Sequence, residues 1–135
     1  MMDAAKLQSS LEQFRGLDTL YRHPGFNWLT YTDGVQFMAE HAEAYWLLDI
    51  IASYLPVIPA DEYMVFAELN VHRMPDRTFG IFVIHDGNRG NGKLYYTPVQ
   101  TIEYTDFPLD SMKIYASRCE EVTGERWRLM LPGEY

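Results

Sequence analysis

Tyr63-Met64-Val65-Phe66-Ala67-Glu68-Leu69-Asn70-Val71-His72-Arg73 is the stretch that decides the fold. Val65, Ala67, Leu69 and Val71 alternate with Phe66, Glu68, Asn70 and His72, the period of two that a strand with one buried face requires. The turn Met74-Pro75-Asp76-Arg77 leads into a second such run over 78–86, and so short a connection makes the two runs antiparallel neighbours. Pairing Arg73 with Thr78 sets His72 opposite Phe79 and His85 opposite Phe66. Further strand patterns follow over 93–104, 112–118 and 126–131, joined by short turn-rich connections. Pro98 marks an edge or a bulge.

Upstream of residue 63 the period is helical. Ala4, Leu7, Leu11 and Phe14 recur at steps of three and four, which predicts a helix over about 4–15 with Gly16 closing it. Trp28-Leu29-Thr30-Tyr31-Thr32 has the composition of a short strand. Asp33 is placed to cap a helix, with Gln36 in the capping-box position. No proline or glycine interrupts 35–55, so one long helix fits, or two with a kink near Glu43. Its second half, 44–52, is apolar almost all round and predicts a central, covered helix. The expected architecture is α+β over 1–135. An N-terminal helix and a long central apolar helix pack on one face of an antiparallel meander of about five to six strands.

The 135 residues suffice for one core. A net charge of −8 disfavours non-specific nucleic-acid binding and anionic membranes. The single cysteine, Cys119, excludes an intrachain disulfide framework and suits a reducing compartment. With no basic-then-apolar leader and no apolar run near the ~20 residues of a membrane span, the chain is expected to be cytoplasmic.

Gly87-Asn88-Arg89-Gly90-Asn91-Gly92-Lys93-Leu94 satisfies the first part of a phosphate-binding loop, but Leu94 replaces the hydroxyl residue and a strand follows instead of a helix. That segment reads as a hairpin turn. The four histidines form no tight ligand pair, and no metal or other cofactor is expected. Cys119 precedes Glu120 and Glu121, neighbours that raise a thiol pKa instead of activating it. Phe79, Phe82, Tyr95, Tyr96 and Tyr104 could stack bases but alternate as core and cross-strand partners do. His41, Tyr45 and Asp49, at steps of four, fall along one stripe of the helix, close enough for a hydrogen-bond relay. Asp49, surrounded in sequence by Leu47, Leu48, Ile50 and Ile51, is expected to be partly buried, in a structural role or in a helix–sheet pocket.

Four blocks together resemble a small bacterial family of unknown function, with members also among phage and plasmid accessory genes. They are Tyr31-Thr32-Asp33-Gly34-Val35, the run 44–54, Tyr104-Thr105-Asp106-Phe107-Pro108-Leu109, and Leu131-Pro132-Gly133-Glu134-Tyr135. The resemblance implies a compact bacterial domain of mobile-element origin and brings no catalytic residue.

The charge is unevenly placed. Residues 23–72 contain no lysine or arginine but hold Asp33, Glu40, Glu43, Asp49, Asp61, Glu62 and Glu68. This favours a non-enzymatic modulator or inhibitor that docks a basic protein partner on Glu40, Glu43, Asp61 and Glu62. The alternative is a small ligand-binding or hydrolytic domain with a pocket around His41, Tyr45 and Asp49. A homodimer through an exposed strand edge near Pro98 is a third reading.

Overall fold

The computed structural model describes residues 1–15, 19–60, 62–85, 100–119 and 124–135. Among them are three helices, α1 (Ala4–Leu11), α2 (Asp33–His41) and α3 (Tyr45–Tyr54). There are seven strands: β1 (Leu20–Arg22), β2 (Leu29–Thr32), β3 (Met64–Arg73), β4 (Thr78–His85), β5 (Gln100–Ile102), β6 (Ser111–Arg118) and β7 (Trp127–Met130). β3 is the longest strand, and neighbours pair along both of its sides. The β3–β4 register places Arg73 opposite Thr78, His72 opposite Phe79 and Phe66 opposite His85, as the turn length demanded.

The sheet is larger than the expected meander and is not purely antiparallel. Its order is β1-β2-β7-β6-β3-β4-β5, and β2 runs parallel to β7. The meander holds only from β3 to β5. The chain then crosses the end of the sheet, burying Phe107 and Leu109 on the way, and enters β6 on the far side of β3. All four residues of β2 are buried between β1 and β7. β1 carries no buried residue and no alternation, so periodicity could not reveal it. Of the 93–104 pattern, the described part is β5; Pro98, Tyr95, Tyr96 and the 87–94 turn lie outside the described residues.

The helices cover one face. Val65, Ala67, Leu69 and Val71 of β3 join Phe82 and Ile84 of β4, Ile114 and Ala116 of β6, and Trp127 and Leu129 of β7 in one buried cluster. Leu7 of α1, Val35 and Met38 of α2, and Leu47, Leu48 and Ile51 of α3 complete it. Tyr54 of α3 stacks on Phe82 at 5.7 Å and donates its hydroxyl proton to Gln100 Oε1 at 2.9 Å.

Of the two expected arrangements the broken one holds: α2 and α3 meet at Glu43, and there is no single long apolar helix. Glu43 has φ 52°, in the left-handed region. The Ala44 N–H bonds to Ala39 O at 2.8 Å and the Glu43 N–H to Glu40 O at 3.4 Å, the paired bonds of a Schellman C-terminus. Glutamate therefore occupies a position that glycine fills without strain, which explains why no glycine signalled the break. Glu43→Gly is expected to raise unfolding stability by about 1 kcal/mol, measured in urea; an unchanged or lower midpoint would contradict the strain. α1 also stops early, at Leu11 with Glu12 as its C-cap. Thr32, not Asp33, caps α2, its hydroxyl accepting from the Val35 N–H at 3.4 Å.

The C-terminus locks onto that cap. Glu134 Oε1 accepts from Thr32 Oγ1 at 2.6 Å and from the Leu131 N–H at 3.0 Å, and Oε2 accepts from the Gly34 N–H at 3.1 Å. A carboxylate at a helix N-terminus also meets the positive end of the helix dipole. Two of the four sequence blocks thus form a single joint.

Candidate functional site

His41, Tyr45 and Asp49 do not form the expected relay. The turn at Glu43 puts His41 on α2, where its ring lies 4.2 Å from that of Phe37. Tyr45 and Asp49 share α3 one turn apart, but on its exposed side. Asp49 is not buried: its side chain is 61% accessible and bonds to His23 Nε2 at 2.6 Å. Nδ1 of His23 accepts from the Gly25 and Phe26 N–H groups at 2.9 and 3.2 Å, so Nε2 carries the proton and donates to Asp49. Both ring nitrogens are occupied, leaving no free base. The apolar sequence around Asp49 gave the wrong side because α3 buries only Leu47, Leu48, Ile51 and Ala52.

What the helical layer presents instead is an acidic stripe around an ordered tyrosine. Tyr45 is 41% exposed. Its hydroxyl donates to Glu40 Oε2 at 3.0 Å and accepts from Gln36 Nε2 at 3.3 Å, which fixes the ring across the α2–α3 turn. Partial burial, and then the bond to the Glu40 carboxylate, hold the phenol above its usual pKa, so it stays a neutral donor. Glu43 is exposed at the turn and Asp49 one helical turn beyond Tyr45. Of the other expected acidic residues, Glu62 is half-buried, its backbone carbonyl accepting from Arg118 Nε at 2.8 Å. Asp61 lies outside the described residues.

A helix–sheet groove does exist, but away from the expected residues. It encloses about 710 Å³ between Trp46 and Ile50 of α3 and Thr78, Ile102, Tyr104 and Asp106 at the β4–β5 end of the sheet. The apolar positions Trp46 and Ile50, four apart on a helix without a fully covered side, were its one legible signal.

At the β2–β7 end, Glu125 is 9% exposed. It accepts from Arg128 Nε and Nη2 at 2.9 and 3.2 Å, and from the Thr30 hydroxyl. Burial works against its charge, yet the Arg128 and Thr30 bonds outweigh it and hold the carboxyl below the ordinary range. Burial first, then the neighbouring Glu125 charge, push the Cys119 thiol up to about 11. Glu120 and Glu121, expected to exert that effect, lie outside the described residues. Cys119 is expected to react with iodoacetamide at pH 8 roughly two orders of magnitude more slowly than an unperturbed thiol; labelling at the ordinary rate would show an activated cysteine.

His72 and His85 stack on Phe79 and Phe66 at 5.2 and 5.7 Å, at opposite ends of the β3–β4 ladder. Among the described residues no three His, Cys, Asp or Glu side chains come together, and no helix is long and apolar enough to cross a membrane.

These features define an α+β domain with helices on one face of a mixed sheet, their exposed side acidic. The chain belongs to a family of unknown function, DUF6876, whose pattern it matches over residues 5–135. No curated protein and no solved structure matches it.

Proposed function

We propose that this protein is a non-enzymatic interaction domain, a modulator or inhibitor that docks a basic protein partner on the exposed side of α2 and α3. The observation that carries the reading is Tyr45, an exposed aromatic held by Glu40 and Gln36 and flanked by Glu43 and Asp49. An ordered aromatic is the residue type that supplies interface energy at low entropy cost, and the surrounding carboxylates steer and orient a cationic partner. No lysine or arginine of 23–72 pairs with those carboxylates; Asp49 is held by His23 and Glu43 lies 4.0 Å from the N-terminal ammonium. A reducing cytoplasm, where a lone thiol persists, and the bacterial accessory-gene setting implied by the sequence blocks fit a modulator of host proteins.

The test is affinity capture from the native cell at low and high salt, using wild type and the double variant Glu40→Lys, Glu43→Lys. One basic protein is expected at low salt, lost at high salt and weakened at least tenfold by the charge reversal. Retention of the same partner by the reversed variant would overturn the reading.

The 710 Å³ groove supports a second reading, a ligand-binding domain. Its volume suits a small molecule and its lining is mainly apolar, with Asp106 as the ionisable group.

A further inference from the structure

We propose that the sheet face opposite the helices is the interface of a symmetric homodimer, occupied by the same face of a second copy of this chain. Strand pairing lines up Met130 of β7, Tyr115 of β6, Phe66 of β3 and His85 of β4 in one row across four strands. The next outward residue on β4 is Val83, opposite Glu68, and then Ile81, opposite Asn70. All of these apolar side chains are half-buried, and none belongs to the core cluster or packs against it. The Phe66 and Tyr115 rings meet edge to face at 4.7 Å, and Tyr135 reaches Tyr115 at 5.8 Å. An antiparallel sheet that meets water on one side normally turns polar residues to it. A band of aromatic, methionine and β-branched side chains is instead the composition of an interface centre.

The charges select the occupant. A chain of net charge −8 repels its own copy unless the contact face is neutral. Around the row on β7, β6, β3 and β4 the charges pair internally. Glu68 holds Lys113 at 3.1 Å and His85 at 3.0 Å, and Glu125 holds Arg128 at 2.9 Å. Two carboxylates meet one lysine and one arginine, so the excess negative charge lies elsewhere. A basic or acidic partner finds no uncompensated opposite charge here, whereas a copy brings an equally neutral apolar surface. Four strands at ~4.8 Å and up to eight residues at ~3.3 Å give a footprint on the order of 500 Å². With side-chain relief that approaches the ~800 Å² each partner contributes to a standard interface. Two such sheets pack about 10 Å apart with strands crossing at about 30°, and a twofold axis lets one patch serve both copies. The helical layers then face outward, leaving Tyr45 and its carboxylates free on both copies.

Sedimentation equilibrium of the full-length protein over a wide concentration range tests this. Wild type is expected to have twice the chain mass. Phe66→Asp and, separately, Val83→Lys are expected to weaken the dimer at least 30-fold while Glu40→Lys leaves it unchanged. Val83 lacks the ring contacts of Phe66 and guards against a variant that fails to fold, which circular dichroism would show. A wild-type monomer at every concentration overturns the proposal. So does a dimer that survives both substitutions in folded protein, or one dissolved by Glu40→Lys. Salt-sensitive capture of a basic partner is a separate property of the helical side, so either result can fail without the other.

Discussion

Phe107→Ala is expected to lower unfolding stability by about 3–5 kcal/mol, the largest single effect among these residues. Phe107 is 2% exposed, yet it belongs to no helix or strand. It sits in the crossover that carries the chain from β5, at one edge, past β4 and β3 to β6. There its ring meets that of Trp46 edge to face at 6.3 Å, so it joins the crossover to α3. Removing the ring leaves a cavity at the crossover where the chain leaves the β3–β5 meander. Urea unfolding of the variant, with the 76% exposed Tyr104→Ala as the control from the same crossover, is the measurement. The control is expected to stay within about 0.5 kcal/mol of wild type. A loss below about 1 kcal/mol for Phe107→Ala would mean that the crossover does not pin the core.

The second large effect is expected at the joint between Gly34 and Glu134. Glu134→Ala removes three hydrogen bonds and a carboxylate from the start of α2, at a cost of about 2–3 kcal/mol. Gly34→Ala acts on the same joint by steric means. A Cβ there would lie 2.6 Å from both Glu134 Oε1 and Leu131 Cδ1, so the carboxylate and the Leu131 side chain must both shift from the joint. That substitution is expected to cost about 2–4 kcal/mol in the wild-type background and at least 1 kcal/mol less once Glu134 is already alanine. Additive losses in the double-mutant cycle would show that the two residues do not share one joint.

The hydrophobic pattern alone is strong enough to specify β3, β4, their register and the α+β class. Alternation over ten residues and a four-residue turn leave few other arrangements. The parallel β2–β7 pair was not legible, because it joins strands almost a hundred residues apart and no local signal records which edge of a sheet is open. The α2–α3 break near Glu43 was legible only as one of two alternatives. Ala42, Glu43 and Ala44 are ordinary helical residues, and the left-handed turn is imposed by packing on both sides. That one turn also decided the candidate site. It moved His41 to another helix, turned Asp49 outward to His23, and left Tyr45 exposed between Glu40 and Asp49. The acidic asymmetry was readable as composition, but its arrangement around a fixed aromatic depended on the fold. Glu134 stood in a recognisable block, yet its role required a helix N-terminus from the other end of the chain.

A partner docked on the exposed side of α2 and α3 would shield that surface and no other. Side-chain footprinting of the captured complex is the measurement. Partner binding is expected to protect Tyr45 and the carboxylates of Glu40 and Glu43, while Trp46, Tyr104, Phe66 and Tyr115 keep the reactivity they have in the free protein. Protection of Trp46 and Tyr104 with Tyr45 unchanged would place recognition in the groove and contradict that docking.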